Sequence, residues 1–188
     1  GTDLLERIEK SLSEGVPKVS TSPEHSITER IWGGQSRSMQ QLFNLILRIS
    51  PTDSDVLITG ESGTGKELVA RELHERSPRS QGPFTVVDCS TTSSTLLESE
   101  LFGHRKGSFT NAYQDRKGLI QAADSGTLFL DEIGTISTEM QTKLLRFLQK
   151  RAIRPVGETR ERSVDCRVLA VTNANIQKFL SSGRFRED

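Results

Sequence analysis

Two kinds of apolar pattern alternate along this chain. The first is the short, almost unbroken apolar run: "DVLIT" (55–59), "FTVVDC" (84–89), "TLFLDE" (127–132) and "CRVLAVT" (166–172). Runs of this kind, with no polar alternation, predict strands buried on both faces, as in a parallel sheet. The second kind repeats every three or four residues. "SMQQLFNLILRIS" sets Met39, Leu42, Phe43 and Ile46 on one helical face, and Pro51 stops it. "KELVARELHERS" and "STLLESELF" predict two more helices. "TEMQTKLLRFLQK" aligns Met140, Leu144, Phe147 and Leu148, and "NIQKFLSS" predicts a last helix that Gly183 caps. Strand and helix in alternation predict an α/β fold, a parallel sheet with helices on both faces.

The pattern also divides the chain. "TDLLERIEKSLSEG" predicts a helix within 1–15, with Leu5, Ile8 and Leu12 at seam spacing and Gly15 ending it. The Ser- and Pro-rich stretch over 16–30 reads as a linker, and the domain proper as 31–188. Apolar residues make up 33% and charged residues 27% of the 188, which suits a soluble α/β protein. Lys+Arg and Asp+Glu both count 25, so no global basic field argues for nucleic acid. Cys89 and Cys166 lie in apolar runs and are expected to be buried, reduced thiols. No apolar run approaches the ~18 residues of a membrane span, and no signal pattern leads the chain, so the expectation is a cytoplasmic protein.

"GESGTGKE" (60–67) follows an apolar strand and opens a helix, the context of a phosphate-binding loop. Gly60, Gly63 and Gly65 let the backbone turn and aim its N–H groups at one point, with Glu61, Ser62 and Thr64 between them. Lys66 is placed to reach the β- and γ-phosphates of ATP. Glu67 stands where a Ser or Thr hydroxyl usually binds Mg2+, so the metal must lean on another acid and on water. Asp131, at the end of the "TLFLD" run, is the candidate metal ligand, and the adjacent Glu132 the candidate base for an attacking water.

Taken in order and spacing, "GESGTGKE", "ESELFGH", "GSFTNA", "ADSGTLFLDEIG", "QTKLLRFLQ", "RPVG", "VTNANI" and "GRFRED" resemble the AAA+ domain of bacterial enhancer-binding proteins, the ATPases that activate sigma-54 RNA polymerase. The resemblance covers about residues 31–188 and implies an AAA+ P-loop NTPase. It implies that Thr172 and Asn173 sense the γ-phosphate. It implies that Arg186 is an arginine finger reaching a neighbouring subunit, so that a ring, a hexamer, is the active form. It implies that Gly107, Ser108, Phe109, Thr110, Asn111 and Ala112 stand where the family carries "GAFTGA", at the tip of a helical insertion. There an exposed Phe109–Thr110 tip contacts sigma-54 and moves with the nucleotide state. It also implies that a second arginine finger, a fifth strand and a helical lid follow Asp188. DNA contact would come only through a domain absent from this chain, and a receiver domain upstream fits the N-terminal helix and linker. On that reading the chain by itself binds ATP weakly and hydrolyses it very slowly.

Four positions depart from the family pattern. Ser108 replaces Ala, Asn111 replaces Gly and Arg105 replaces a frequent Glu. Asp88 replaces an Asn that hydrogen-bonds the catalytic Glu; an ionised Asp cannot donate that bond, so Asp88 is expected to weaken or gate hydrolysis. Two functions stay open at the level of sequence. One is an ATP-driven remodeller of sigma-54 polymerase; the alternative is a nucleotide-responsive regulatory module that acts without sigma-54. A different AAA+ task, such as DNA repair or protease loading, fits the Phe-Thr loop poorly.

Overall fold

The computed structural model describes residues 36–90, 93–110 and 112–173. The expectations for the helix over 1–15, the linker over 16–30, Asn111, "NIQKFLSS" and Arg186 fall outside them. The chain divides into two compact units, 1–48 and 49–188. The described part of the first is nearly all of helix α1 (Arg37–Ile49). Phe43 and Ile46 are buried and Met39 and Leu42 half-buried, the face that the periodicity predicts.

The second unit runs β1 (Val56–Thr59), α2 (Lys66–Glu75), β2 (Phe84–Asp88) and α3 (Ser94–Phe102). A short ladder follows, β3 (Gly103–His104) with β4 (Arg116–Lys117), then α4 (Leu119–Ala122) and β5 (Thr127–Asp131). A 3-10 turn at Ile133–Thr135 leads into α5 (Thr138–Lys150), a second ladder of β6 (Ala152–Ile153) with β7 (Arg162–Ser163), and β8 (Arg167–Thr172). The four long strands pair in parallel in the order β1-β8-β5-β2. The sheet is the one the apolar runs predict.

Burial differs between strands, and position in the sheet is the reason. β5 and β8 are central and almost wholly buried, as expected of apolar runs. β1 and β2 are edges among the described strands, and half of the expectation fails there: Leu57 is 50% and Val86 44% exposed. A side chain at an edge has a neighbour on one side only. Helices cover both faces. On one, the Phe84 ring stacks on Phe129 at 5.5 Å and tilts against His74 of α2 at 5.1 Å. On the other, Val87, Leu128, Leu130 and Val168 meet Leu97 and Leu101 of α3, Ile120 of α4, and Met140, Leu144 and Phe147 of α5.

Within α5 the expected stripe shifts. Leu148 is 37% exposed, while Gln141 is buried and donates from Nε2 to Ile136 O at 3.3 Å. Met140, Leu144 and Phe147 keep their predicted place in the core. Arg167 opens the apolar run of β8, yet it is only 1% exposed. Its guanidinium donates to Ser54 O, Ser50 O and Ile49 O at 2.9, 3.2 and 3.2 Å, so three carbonyls of the 49–54 turn offset the loss of water. Both cysteines are buried and free, and burial pushes the Cys89 thiol up to about 12. No helix among the described residues is long and apolar enough to cross a membrane.

Candidate functional site

Between Thr59 and Lys66 the chain must reverse in six residues, from the end of a strand to the start of a helix. Gly63 and Gly65 take φ of 78° and 83°, left-handed values that cost a residue with a β-carbon free energy. Gly65 is also the N-cap of α2, and no side chain caps it, so the first amides of the helix face outward for an anion. Lys66 folds back over the loop and donates to Gly60 O at 3.0 Å and Glu61 O at 2.8 Å. Thr64 Oγ1 donates to Glu61 O at 2.8 Å, and Gly60 N–H to Thr172 O at 3.3 Å, which ties the loop to the end of β8. Glu61, Ser62 and Gly63 are exposed. Glu67 is exposed too, and its carboxylate pairs with Arg71 at 2.8 Å along the helix.

Parallel pairing sets Asp88 of β2 in register with Asp131 of β5. Burial raises the Asp131 carboxyl above the ordinary carboxylate range. Glu132, Asp88 and Glu67 raise it further, against the Glu132 N–H bond that lowers it. This is the electrostatics of a cation site: several acids whose repulsion an ion would relieve. No three such side chains among the described residues close round a point.

Glu132 has φ 52° and ψ 47°, a left-handed backbone at a non-glycine residue. Strain of this kind, of about 1–3 kcal/mol, clusters at functional positions. Its Oε2 accepts the Asn173 N–H at 3.2 Å, so the candidate base and the candidate sensor touch. Thr172 is wholly buried, and Asn173 is the exposed member of the pair. Asp88 has a local partner. Its Oδ1 accepts the N–H and the hydroxyl of Ser90 at 2.8 and 2.7 Å, a partner that sequence reasoning missed. An acid followed two residues later by Ser is the pattern of a local turn, and that signal was available.

The loop at 105–112 corrects an expectation. Phe109 is not fully exposed: it is half-buried, its ring edge-on to buried His104 at 4.9 Å. Ala112 is buried as well, Gly107 and Thr110 are exposed, and the most open aromatic among the described residues is Tyr113 at 79%. The reason lies in the stem. The β3–β4 ladder brings His104 beneath the loop, and a sequence pattern has no means of showing that contact. Two paired residues on each side form the stem, between α3 and α4.

The sequence model of the family described as "Sigma-54 interaction domain" matches residues 32–188. The transcriptional regulatory protein ZraR of Salmonella typhimurium is 47% identical over 185 residues, 98% of this chain and 42% of that protein. The Nif-specific regulatory protein of Herbaspirillum seropedicae is 51% identical over 155 residues, 82% of this chain and 29% of that protein. The crystal structure of NtrX from Brucella abortus in complex with ATP aligns with a TM-score of 0.75 and 35% identity, over 100% of this chain and 39% of that one. The P-loop NTPase domain of a sigma-54 transport activator from E. coli shares the fold at a TM-score of 0.52 and 22% identity, over 77% of this chain and 93% of that one. This chain therefore spans about two-fifths of the length of the ZraR relatives it matches.

Proposed function

The chain belongs to the sigma-54 interaction domain family, and from that premise we propose that it binds and hydrolyses ATP to drive the Phe109–Thr110 loop against sigma-54 RNA polymerase. The observation that carries this reading is the P-loop with Lys66 folded over it, donating to Gly60 O and Glu61 O at the head of α2.

Each residue has a part that follows from its chemistry. The amides at the head of α2 hold phosphate oxygens. Lys66 exchanges its two carbonyl partners for the β- and γ-phosphates. Asp131 would hold Mg2+ through oxygen, with water in place of the missing hydroxyl at Glu67. When bound, that ion neutralises charge on the phosphates. Glu132 orients and deprotonates a water for attack on the γ-phosphorus. Asn173 N–H, already on its carboxylate, reports what occupies the site. Asp88, an acid in register with Asp131, restrains turnover by opposing full ionisation of the pair. Arg186 completes a neighbour's site in a ring of copies, and Gly107, Ser108, Phe109, Thr110, Asn111 and Ala112 meet the polymerase. The alternative, a nucleotide-responsive module without sigma-54, is favoured by one observation: Phe109 is seated on His104 rather than offered to a partner.

The test is capture of purified sigma-54 by the full-length protein, with ATP and with a transition-state analogue. Nucleotide-dependent capture is expected. Lys66→Ala is expected to lose nucleotide and capture together; Phe109→Ala is expected to lose capture alone. Nucleotide binding without any capture sinks the remodeller and leaves the alternative. In a turnover assay Asp88→Asn is expected to be faster than the parent, and identical pH profiles would discard that role.

A further inference from the structure

The C-terminal half of α5 borders a trough to which neither the P-loop nor the acid pair contributes a residue. Its volume is about 770 Å³, the size of a ligand pocket. α5 forms one wall, the segment 152–158, which begins with β6, forms the other, and Glu98 and Phe102 of α3 complete the lining. Buried Phe102, Phe147 and Ile153 give it an apolar floor.

Charge along the trough is uneven. Lys143, Arg146 and Lys150 line it from α5, at spacings of three and four residues that set them on one helix face. At the helical rise the row covers about 10 Å. The lysines at its two ends are already matched: Lys143 pairs with Glu98 at 2.7 Å and Lys150 with Glu161 at 3.8 Å. Glu158, the other acid in the lining, is taken by Arg105 at 3.1 Å and Arg162 at 2.9 Å. Arg146, in the middle of the row, and Arg154, on the opposite wall, are exposed, and no carboxylate among the described residues pairs with either side chain.

A guanidinium is a planar fork that holds a carboxylate through two parallel hydrogen bonds. Two unmatched forks in a concave site therefore select for acids. Glu98 and Glu161 already sit as such acids at the two ends. The row has the length of about three residues of extended chain. A nucleic acid strand fits worse. Its unbroken phosphates would meet Glu98, Glu158 and Glu161, and a convex duplex would have to enter a cavity. We propose that this trough is a docking site for an extended acidic peptide segment of a partner protein, with Arg146 and Arg154 as the anchors of its carboxylates. The site uses none of the nucleotide-binding residues, so it stands or falls apart from the ATP-driven reading.

The probe is a fluorescein-labelled hexapeptide of alternating Glu and Leu, bound to the full-length protein and followed by anisotropy. Peptides with Ser or Lys in place of Glu are the controls. The Glu peptide is expected to bind and the controls are not. Arg146→Gln and Arg154→Gln are each expected to raise Kd about tenfold with ATP affinity unchanged, which shows that the variants fold. Arg146→Lys is expected to recover only part of the loss, because an ammonium lacks the fork. Glu161→Gln frees Lys150 and is expected to lower Kd ~3-fold, a gain that damage to the fold would not give. Raising salt from about 0.05 to about 0.5 M is expected to weaken the parent more than either guanidinium variant. No binding of the Glu peptide, equal binding of the Ser peptide, a Kd unchanged in Arg146→Gln or in Arg154→Gln, or displacement of the peptide by equimolar hexathymidylate overturns the proposal.

Discussion

His74 is a buried imidazole outside the nucleotide site, and it makes a residue-level prediction. Its Nδ1 lies 2.9 Å from Thr127 Oγ1, and burial lowers its pKa from the ordinary 6.5, with Arg167 adding to the shift and Glu75 opposing it. The folded state thus prefers the neutral ring. The unfolded chain takes up the proton near pH 6.5, so stability is full above that value and is lost as pH falls from it toward the folded pKa. Denaturant midpoints are expected to drop on acidification through this window, and His74→Gln to flatten the slope. Asp53, Asp115 and Glu158 have lowered pKa values, so their contribution disappears only at more acidic pH and does not mimic the effect. At the same scale the motif residues were legible. Gly63 and Gly65 make the left-handed turn between β1 and α2, Lys66 opens α2, and Asp131 and Glu132 close β5, the strand–loop–helix frame that the spacing implies. The strain at Glu132, the Ser90 partner of Asp88 and the His104 seat of Phe109 were not legible in full, because each depends on a dihedral angle or a contact that spacing leaves free.

Helices and strands came through pattern with few errors, and the errors share a cause. Periodicity marks which residues can face a core; where the core lies relative to that stripe is set by neighbours. Hence Gln141 is in and Leu148 is out, although both adjoin the Met140–Leu144–Phe147 row. The two-residue ladders β3–β4 and β6–β7 carry no apolar alternation at all and were invisible. Helix ends follow local rules more faithfully. Ser137 caps α5, its Oγ accepting the Met140 N–H at 3.3 Å. Ser137→Ala is expected to destabilise the fold by about 1 kcal/mol, read as a lower midpoint in urea with an unchanged slope. Ser137→Asp, which keeps an acceptor at the cap, is expected to restore it.

For the molecule as a whole, the parallel sheet gathers the candidate groups among the described residues at the carboxyl ends of its strands. Thr59, Asp88, Asp131 and Thr172 all end strands that run the same way, and the P-loop, Glu132 and Asn173 follow them directly. The centre of that sheet holds the site together. Phe129 is 1% exposed and stacked on Phe84, so Phe129→Ala is expected to cost about 3–5 kcal/mol, seen as a lower midpoint of thermal or chemical unfolding. By itself the amino-acid order determined the strand and helix alternation, the phosphate loop and the acid pair, because these depend on side-chain chemistry and on periods of two to seven residues. Only the tertiary structure decided which strands are edges, that Arg167 is buried under three carbonyls, and that the aromatic tip rests on His104 under an Arg105 bridge. Those outcomes join residues as far apart as Ile49 and Arg167, and contacts across such distances follow from packing and pairing geometry, which no local pattern encodes.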